Sequence, residues 1–272
     1  MPCHPTPIRF HRVLLTGAAG GLGRVLRTRL KAYCSVLRVS DREALGCAEP
    51  GEELCPAQLE DAGAMLRLLE GVQAVVHLGG VSTEQPWEPI LQANIVGVYN
   101  LYEAVRKQGV GRVVFASSNH VTGFYRQDQV VGPDDPVRPD GLYGLSKAFG
   151  ENLARLYFDR YGIESVCLRI GSSLAEPRDR RMLATWMSHD DLERLVVASL
   201  TAPLVGHSTL YGISDNAATW WDNRLARHIG YRPQDSSEPF RARIEAADPH
   251  PDISDPAVIY QGGAFVRTGP PE

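Results

Sequence analysis

The sequence predicts an α/β fold, a doubly wound parallel sheet with a small C-terminal substrate-binding part. Three observations predict it. Apolar runs of strand length alternate with amphipathic runs of helix length from residue 11 to residue 171. The first strand passes into the first helix through a glycine-rich loop, TGAAGGLG (16–23). The second strand ends on an acidic residue, Asp41.

VLLTG (13–17) reads as a short buried strand and GLGRVLRTRLKAY (21–33) as the helix after it. SVLRVSD (35–41) is the second strand, DAGAMLRLLEG (61–71) a helix, and QAVVHLGG (73–80) another buried strand. EPILQANIVGVYNLYEAVRKQG (88–109) is a long helix that stops at a glycine. RVVFASS (112–118) is a strand, and 119–140 is a loop rich in Pro, Asp and Gly. Helix 142–161 and strand SVCLRIG (165–171) complete the regular alternation. Continuous apolar strands separated by helices imply a parallel sheet covered on both faces, with right-handed crossovers, which is a Rossmann sheet. The expected organisation is a dinucleotide-binding core over 11–171 and a smaller region over 172–272, integrated with that core. In the second region Ser188 is the expected N-cap of a helix, with Asp191 three residues on. STLYGIS (208–214) reads as a strand and ATWWDNRLARHIG (218–230) as a helix. The remaining tail, rich in Pro and Asp, is expected to lie mostly on the surface.

Composition narrows the function. Of 272 residues, 43% are hydrophobic and 22% charged, ordinary values for a water-soluble globular chain. With a net charge of −4, nothing suggests nucleic acid or an anionic membrane surface as a partner, and any anionic ligand is expected to be held by local groups. The cysteines, Cys3, Cys34, Cys47, Cys55 and Cys167, are odd in number, scattered, and without metal-ligand spacing. A reducing, cytoplasmic compartment is expected. MPCHPTPIRFHR contains no apolar run of the signal-peptide kind, so neither a leader nor a membrane span is expected.

Gly17, Gly20 and Gly23 permit a tight turn, close approach of a pyrophosphate, and close packing of helix on sheet. Free N–H groups and the positive end of the helix dipole then face the anion. A carboxylate at Asp41 accepts hydrogen bonds from both ribose hydroxyls and repels a 2′-phosphate, which favours NAD over NADP. The basic Arg42 beside it is a weaker signal in the other direction.

Tyr143 and Lys147 stand four apart on the helix after strand RVVFASS, and so share one face. Such a pair alone is commonly packing with a snorkelling lysine. Here it follows a phosphate loop and a strand ending in Ser117-Ser118, whose carboxyl end lies on the same side of the sheet. A free phenol titrates near pH ~10, and lowering it by ~3 units takes ~4 kcal/mol of preferential stabilisation of the phenolate. A nearby ammonium and a positive nicotinamide ring have the right sign. The expected catalytic set is Tyr143 as base, Lys147, and Ser118 holding the substrate hydroxyl.

At these residues the chain resembles the short-chain dehydrogenase/reductase superfamily in its extended, NAD-dependent epimerase/dehydratase-like branch. TGAAGGLG, Asp41, HLGG (77–80), Asn94, FASS (115–118) and YGLSK (143–147) carry the likeness, which runs from about residue 11 to residue 230. It implies cofactor contacts from Gly17, Gly20, Gly21, Leu22, Gly23, Asp41, Gln58, Leu59, Leu78, Gly79, Gly80, Asn94, Tyr143, Lys147 and Ile170. One departure is Gln58-Leu59, where the branch usually has an acidic residue near the adenine. Longer strings resemble a group within the branch that oxidises free sugar acids. These are HLGGVS (77–82), FASSNHVTGFY (115–125), RPDGLYGLSK (138–147), RIGSSLAEPRDRRMLATWMSHDD (169–191), WWDN (220–223) and QGGAF (261–265). That likeness implies NAD-dependent oxidation of a hexuronic acid at its anomeric carbon to an aldarolactone. It places the substrate on Ser82, Ser118, Asn119, His120, Tyr143, Ser172 and Arg181. Arg181 would clamp the carboxylate as a bidentate fork, and only the resemblance selects it over Arg178 and Arg180. The branch also implies a homo-oligomer, and the expected partner is a small sugar acid.

Two other readings were weighed. A nucleotide-sugar epimerase or dehydratase would reuse Tyr143 and Lys147, but only 102 residues (272 − 170) follow Ile170 to cradle a nucleotide diphosphate. A silent NAD-sensing protein usually lacks the active Tyr or Lys, and both are present here.

Overall fold

The computed structural model describes residues 10–269. The opening segment with Cys3, and the last three residues, lie outside the described part. The strands are β1 (Phe10–Thr16), β2 (Cys34–Ser40), β3 (Glu52–Leu54), β4 (Ala74–His77), β5 (Arg112–Ser118), β6 (Glu164–Ile170), β7 (Ser172–Ser173), β8 (Trp186–Met187) and β9 (His207–Gly212). The helices are α1 (Gly21–Leu30), α2 (Ala62–Leu68), α3 (Trp87–Ile90), α4 (Gly97–Gln108), α5 (Leu142–Tyr161), α6 (Met182–Thr185), α7 (His189–Thr201), α8 (Arg241–Ala247) and α9 (Pro256–Ile259). Seven strands form one sheet in the order β3-β2-β1-β4-β5-β6-β9, all parallel. β7 and β8 pair as a separate two-stranded ribbon.

The sheet is sandwiched between two apolar layers, as the uninterrupted hydrophobic strands require. Successive residues point to opposite faces. On one face Val13, Leu15, Val76, Val114 and Leu168 pack with Leu26 of α1 and Leu192 and Leu195 of α7. On the other, Leu14, Val75, Val113, Phe115 and Cys167 pack with residues of α2, α4 and α5. Gly150 lets α5 lie close over β5; a Cβ there would stand 2.3 Å from the Phe115 ring. Register aligns the carboxyl ends of the central strands: Thr16 opposite Ser40 and His77, Ser118 opposite Ile170. The site opens at this edge.

Strand β5 and helix α5 fall where the sequence places them. Ser188 caps α7 by accepting a bond from the Asp191 amide. One expectation needs correction. Residues 218–230 do not form one helix. Asn223 bonds both backbone groups of Tyr211, and the Trp221 backbone bridges to Val131, so 220–222 is pulled extended. Only a 3₁₀ stretch, Arg224–Ile229, remains of the expected helix. These long-range bonds outweigh local helix propensity. The edge strand β3 is too short to show a hydrophobic period. The tail lies mostly at the surface, as expected, yet it is structured. It forms α8 and α9, and Gln261 is 0% exposed. Asp255 caps α9, with Pro256 at its first turn.

Among the described residues no helix is long and apolar enough to cross a membrane, and no group of three His, Cys, Asp or Glu is placed to hold a metal ion.

Candidate active site

A cavity of about 1060 Å³ runs along the carboxyl edge of the sheet, from the β1–α1 loop to the C-terminal tail. At one end stands the glycine loop. Gly17 has φ +70, and a Cβ there would lie 2.6 Å from the Leu78 carbonyl carbon. A Cβ on Gly23 would lie 1.9 Å from the Gly17 carbonyl oxygen. Both positions therefore require glycine. Helix α1 has no side-chain N-cap and no acidic residue in its first turn, so its N-terminal amides remain free for an anion. Gly20, Gly21 and Leu22 line the cavity beside them.

Asp41 sits at the cavity wall and accepts the Ala19 amide at 2.9 Å and the Glu43 amide at 3.0 Å. These bonds tie it to the phosphate loop and leave lone pairs for further donors. Arg42 is exposed and pairs with Glu43 at 3.4 Å. Gln58 is exposed, Leu59 is half-buried, and both line the wall. Leu78, Gly79, Gly80 and Ile170 line its floor.

Asn94 lies outside the lining. It is buried in a π-turn, Leu91–Val96, between α3 and α4. Its side chain bonds the Val81 amide and carbonyl and the Ser146 hydroxyl at 2.8, 3.0 and 2.9 Å. It thus fixes the loop after β4 to helix α5. A π-turn at a functional cleft is a recurrent device.

Tyr143, Lys147 and Ser118 converge at the centre of the cavity. The Ser118 side chain lies near enough to the Tyr143 hydroxyl to pull its pKa down, and its Oγ accepts the His120 amide at 3.2 Å. Lys147 Nζ donates to the Ala116 carbonyl at 2.8 Å and lies 5.7 Å from the centroid of the Tyr143 ring. Burial pushes Lys147 down to about 8. Ser117, the other member of the pair, is turned to Glu151 at 2.5 Å and supports the fold. The acidified phenol expected from the sequence is absent in the protein alone. Burial pushes Tyr143 up to about 12, with Ser118 pulling it down and Asp140 pushing it further up. The ammonium, aimed at a carbonyl, does not offset that burial.

The substrate end collects the remaining expected residues. Ser82 is exposed at the rim. His120 Nδ1 lies 2.6 Å from Asp140 Oδ2. A carboxylate only accepts, so Nδ1 carries the proton and Nε2 is left as an acceptor. Burial holds the His120 pKa below the usual histidine range, against the opposing pull of Asp140. Phe265 stacks on His120 with centroids 3.7 Å apart.

Arg181 donates from Nε to the Gln261 carbonyl at 2.6 Å and from Nη1 to Ser172 Oγ at 3.3 Å. With the Asn119 amide oriented to satisfy both its ends, Arg181 Nη2 donates to it at 2.7 Å, and Asn119 donates to the Ile170 carbonyl at 3.0 Å. A guanidinium carries five N–H donors. Three are engaged, which leaves one on each terminal nitrogen, the fork that a carboxylate takes. Among the described residues no carboxylate pairs with Arg181. Arg180, by contrast, lies over α8 with Glu245 and Asp248. Arg178 is exposed at the cavity wall.

Several functional residues carried no local signal. Glu84 is buried and its two oxygens accept the Leu142 and Tyr143 amides at 2.8 and 2.9 Å, capping α5 from 58 residues away. Asp140 fell at the end of the expected loop 119–140, with nothing local to mark it. Phe265 and Gln261 fell in a segment expected at the surface. Among the described residues Ser173 Oγ and Asp140 Oδ1 are buried without a partner, and Ser173 lines the cavity.

This glycine cradle, acidic strand end and Ser-Tyr-Lys cluster on a parallel sheet define a nucleotide-dependent enzyme of the extended short-chain type. A sequence profile of the NAD dependent epimerase/dehydratase family matches residues 13–221, and the chain belongs to that family. Within it the chain is similar to uronate dehydrogenases over nearly its whole length. It is 55% identical to the uronate dehydrogenase of Pseudomonas syringae pv. tomato, over 98% of this chain and 97% of that protein. It is 56% identical to that of Pseudomonas putida, over 97% and 99%. A solved mutant of the Agrobacterium tumefaciens uronate dehydrogenase, complexed with NAD, superposes with a TM-score of 0.93. That structure is 50% identical and covers 95% of this chain and 98% of its own.

Proposed function

We propose that the protein oxidises a hexuronic acid, glucuronate or galacturonate, at its anomeric carbon to an aldarolactone with NAD. The observation that carries this reading is Arg181. Among the described residues it is a guanidinium with no acidic ion-pair partner and two free donors, in the same cavity as the Ser118-Tyr143-Lys147 cluster. The full-length likeness to uronate dehydrogenases supports the same substrate class.

Bound NAD would supply the hydride acceptor for the anomeric C–H. The glycine loop and free α1 amides would hold its pyrophosphate, and Asp41 its adenosine ribose. Lys147 keeps two donors beyond its bond to Ala116 and can hold the second ribose. Arg181 would take the substrate carboxylate through its free fork, which fixes the sugar end to end. Ser118 and Tyr143 would share the anomeric hydroxyl, and Tyr143 would remove its proton. With ring oxygen and carbon chain untouched, oxidation at that carbon leaves a lactone. His120 Nε2 and the Asn119 side chain are positioned to meet ring hydroxyls. Because burial raises Tyr143, its base form gains as pH rises, so turnover should climb on the alkaline side.

A homo-oligomer in a cytoplasmic setting belongs to the same proposal. Tyr99, Leu145, Phe149 and Leu156 on α4 and α5 are large, apolar and exposed, which supports a protein partner for that face. The four described cysteines are free, which supports a reducing compartment. The test of function is stoichiometric. One NADH should form per glucuronate or galacturonate consumed, with an aldarolactone seen by NMR. An epimerase returns its hydride and would accumulate no NADH, which would overturn the reading.

A further inference from the structure

The C-terminal segment QGGAF is held against the site by backbone bonds and by the buried side chain of Gln261. Gln261 is 0% exposed, and every polar atom of its side chain is used. Oε1 accepts from Trp221 Nε1 at 2.8 Å. Nε2 donates to the carbonyls of Arg126 and Gln129, each at 2.9 Å. Its amide donates to the Tyr125 carbonyl at 2.8 Å, and the Gly262 amide to that of Gly123 at 2.8 Å. A buried, fully satisfied amide of this kind sets one position for its backbone.

That position matters because the Gln261 carbonyl is the acceptor for Arg181 Nε at 2.6 Å. The glycines that follow allow the approach. A Cβ on Gly262 would stand 2.0 Å from Asp140 Oδ2, and Gly263, at φ +64, lies with its Cβ direction 2.5 Å from Arg181 Cδ. The segment therefore leans on Arg181 and Asp140 together. Once Nε is taken by a carbonyl, the fork left to the substrate is the one on the two terminal nitrogens. Without that carbonyl the guanidinium keeps only its bonds to Ser172 and Asn119, and Nε is released to offer a second, side-on fork.

We infer that Gln261 is a positioning residue for carboxylate recognition: it locks the tail through Trp221, Arg126 and Gln129, so that its own carbonyl holds the plane of Arg181. This rests on the reading of the substrate as a uronate. Gln261 makes no substrate contact in this account, and Trp221 of the WWDN stretch becomes part of the same device.

A double-mutant cycle on kcat/KM for uronate tests it. Gln261→Ala should raise KM for glucuronate and galacturonate about tenfold, with kcat within about twofold and NAD affinity unchanged. In an Arg181→Ala background the same change should cost less than about twofold more, because the residue it acts through is gone. Gln261→Glu, of equal size but unable to donate to the two carbonyls, serves as a second variant if the alanine protein does not fold. A purely structural role would lower kcat/KM by the same factor in both backgrounds. Such additivity, or an unchanged KM in a folded single mutant, overturns the inference. If the unaltered protein turned over neither uronate, the functional reading would fall first and this inference with it.

Discussion

At Asp41 one carboxylate serves the phosphate loop and the cavity at once, through its bonds to the Ala19 and Glu43 amides. Replacing it with alanine removes both the proposed ribose acceptor and a charge that would repel a 2′-phosphate. Asp41→Ala should shift the ratio of kcat/KM for NAD over NADP by roughly tenfold or more toward NADP. Steady-state rates with each cofactor decide it, and an unchanged ratio would reduce Asp41 to a loop tie. At this scale the sequence was legible wherever chemistry follows local order. The glycine loop, Asp41, Tyr143 and Lys147 lie on short strings with fixed spacing. Asp140 and Glu84 were illegible because their partners, His120 and the α5 amides, are 20 and 58 residues distant. The acidity of Tyr143 was illegible too, since burial is a property of the folded cavity and reverses the shift inferred from Lys147 alone.

Helix α5 carries Tyr143, the proposed base, and its first turn is held by a residue outside the helix. Its N-cap, Gly141, has no side chain, and a Cβ there would lie 2.3 Å from Glu84 Oε2. Glu84 thus accepts two orphan amides and adds a negative charge at the positive end of the dipole. Glu84→Gln keeps the volume but turns an amide donor toward one of those N–H groups. An unsatisfied buried donor costs about 1–3 kcal/mol. The variant should show a lower melting temperature and a kcat roughly tenfold lower, at constant NAD affinity; equal kcat and melting temperature would mean the cap is not needed. Elements with strong periods, β5 and α5 above all, were readable in advance. The stretch at 218–230 was not, because Asn223 and Trp221 answer to Tyr211 and Val131, and a single sequence does not display those contacts.

For the whole molecule, the sheet order and both apolar layers follow from the alternation of apolar strands and helices. The closing of the site by the tail does not, and it depends on Gln261 and Phe265. Buried histidines give the fold a pH signature. His77 is fully buried, stacked on Phe115, and bonded to Thr16 at 2.7 Å. Burial, aided by the charge of Lys147, pushes its pKa down to about 3. The unfolded chain takes up that proton near pH ~6.5, so stability is full above that value and falls as pH drops toward about 3, by up to ~1.4 kcal/mol per unit. Denaturant titrations at pH 7.5, 6 and 5 should show a shallower decline for His77→Gln than for the parent protein; parallel declines would remove His77 from the account. The most direct measurement of the central claim concerns the base. Tyr143→Phe deletes one oxygen and little volume. Its kcat/KM for uronate should fall on the order of a thousandfold at every pH, with the Kd for NAD unchanged. A variant that kept turnover within tenfold of the parent, with a similar pH profile, would contradict the claim that this phenol takes the proton.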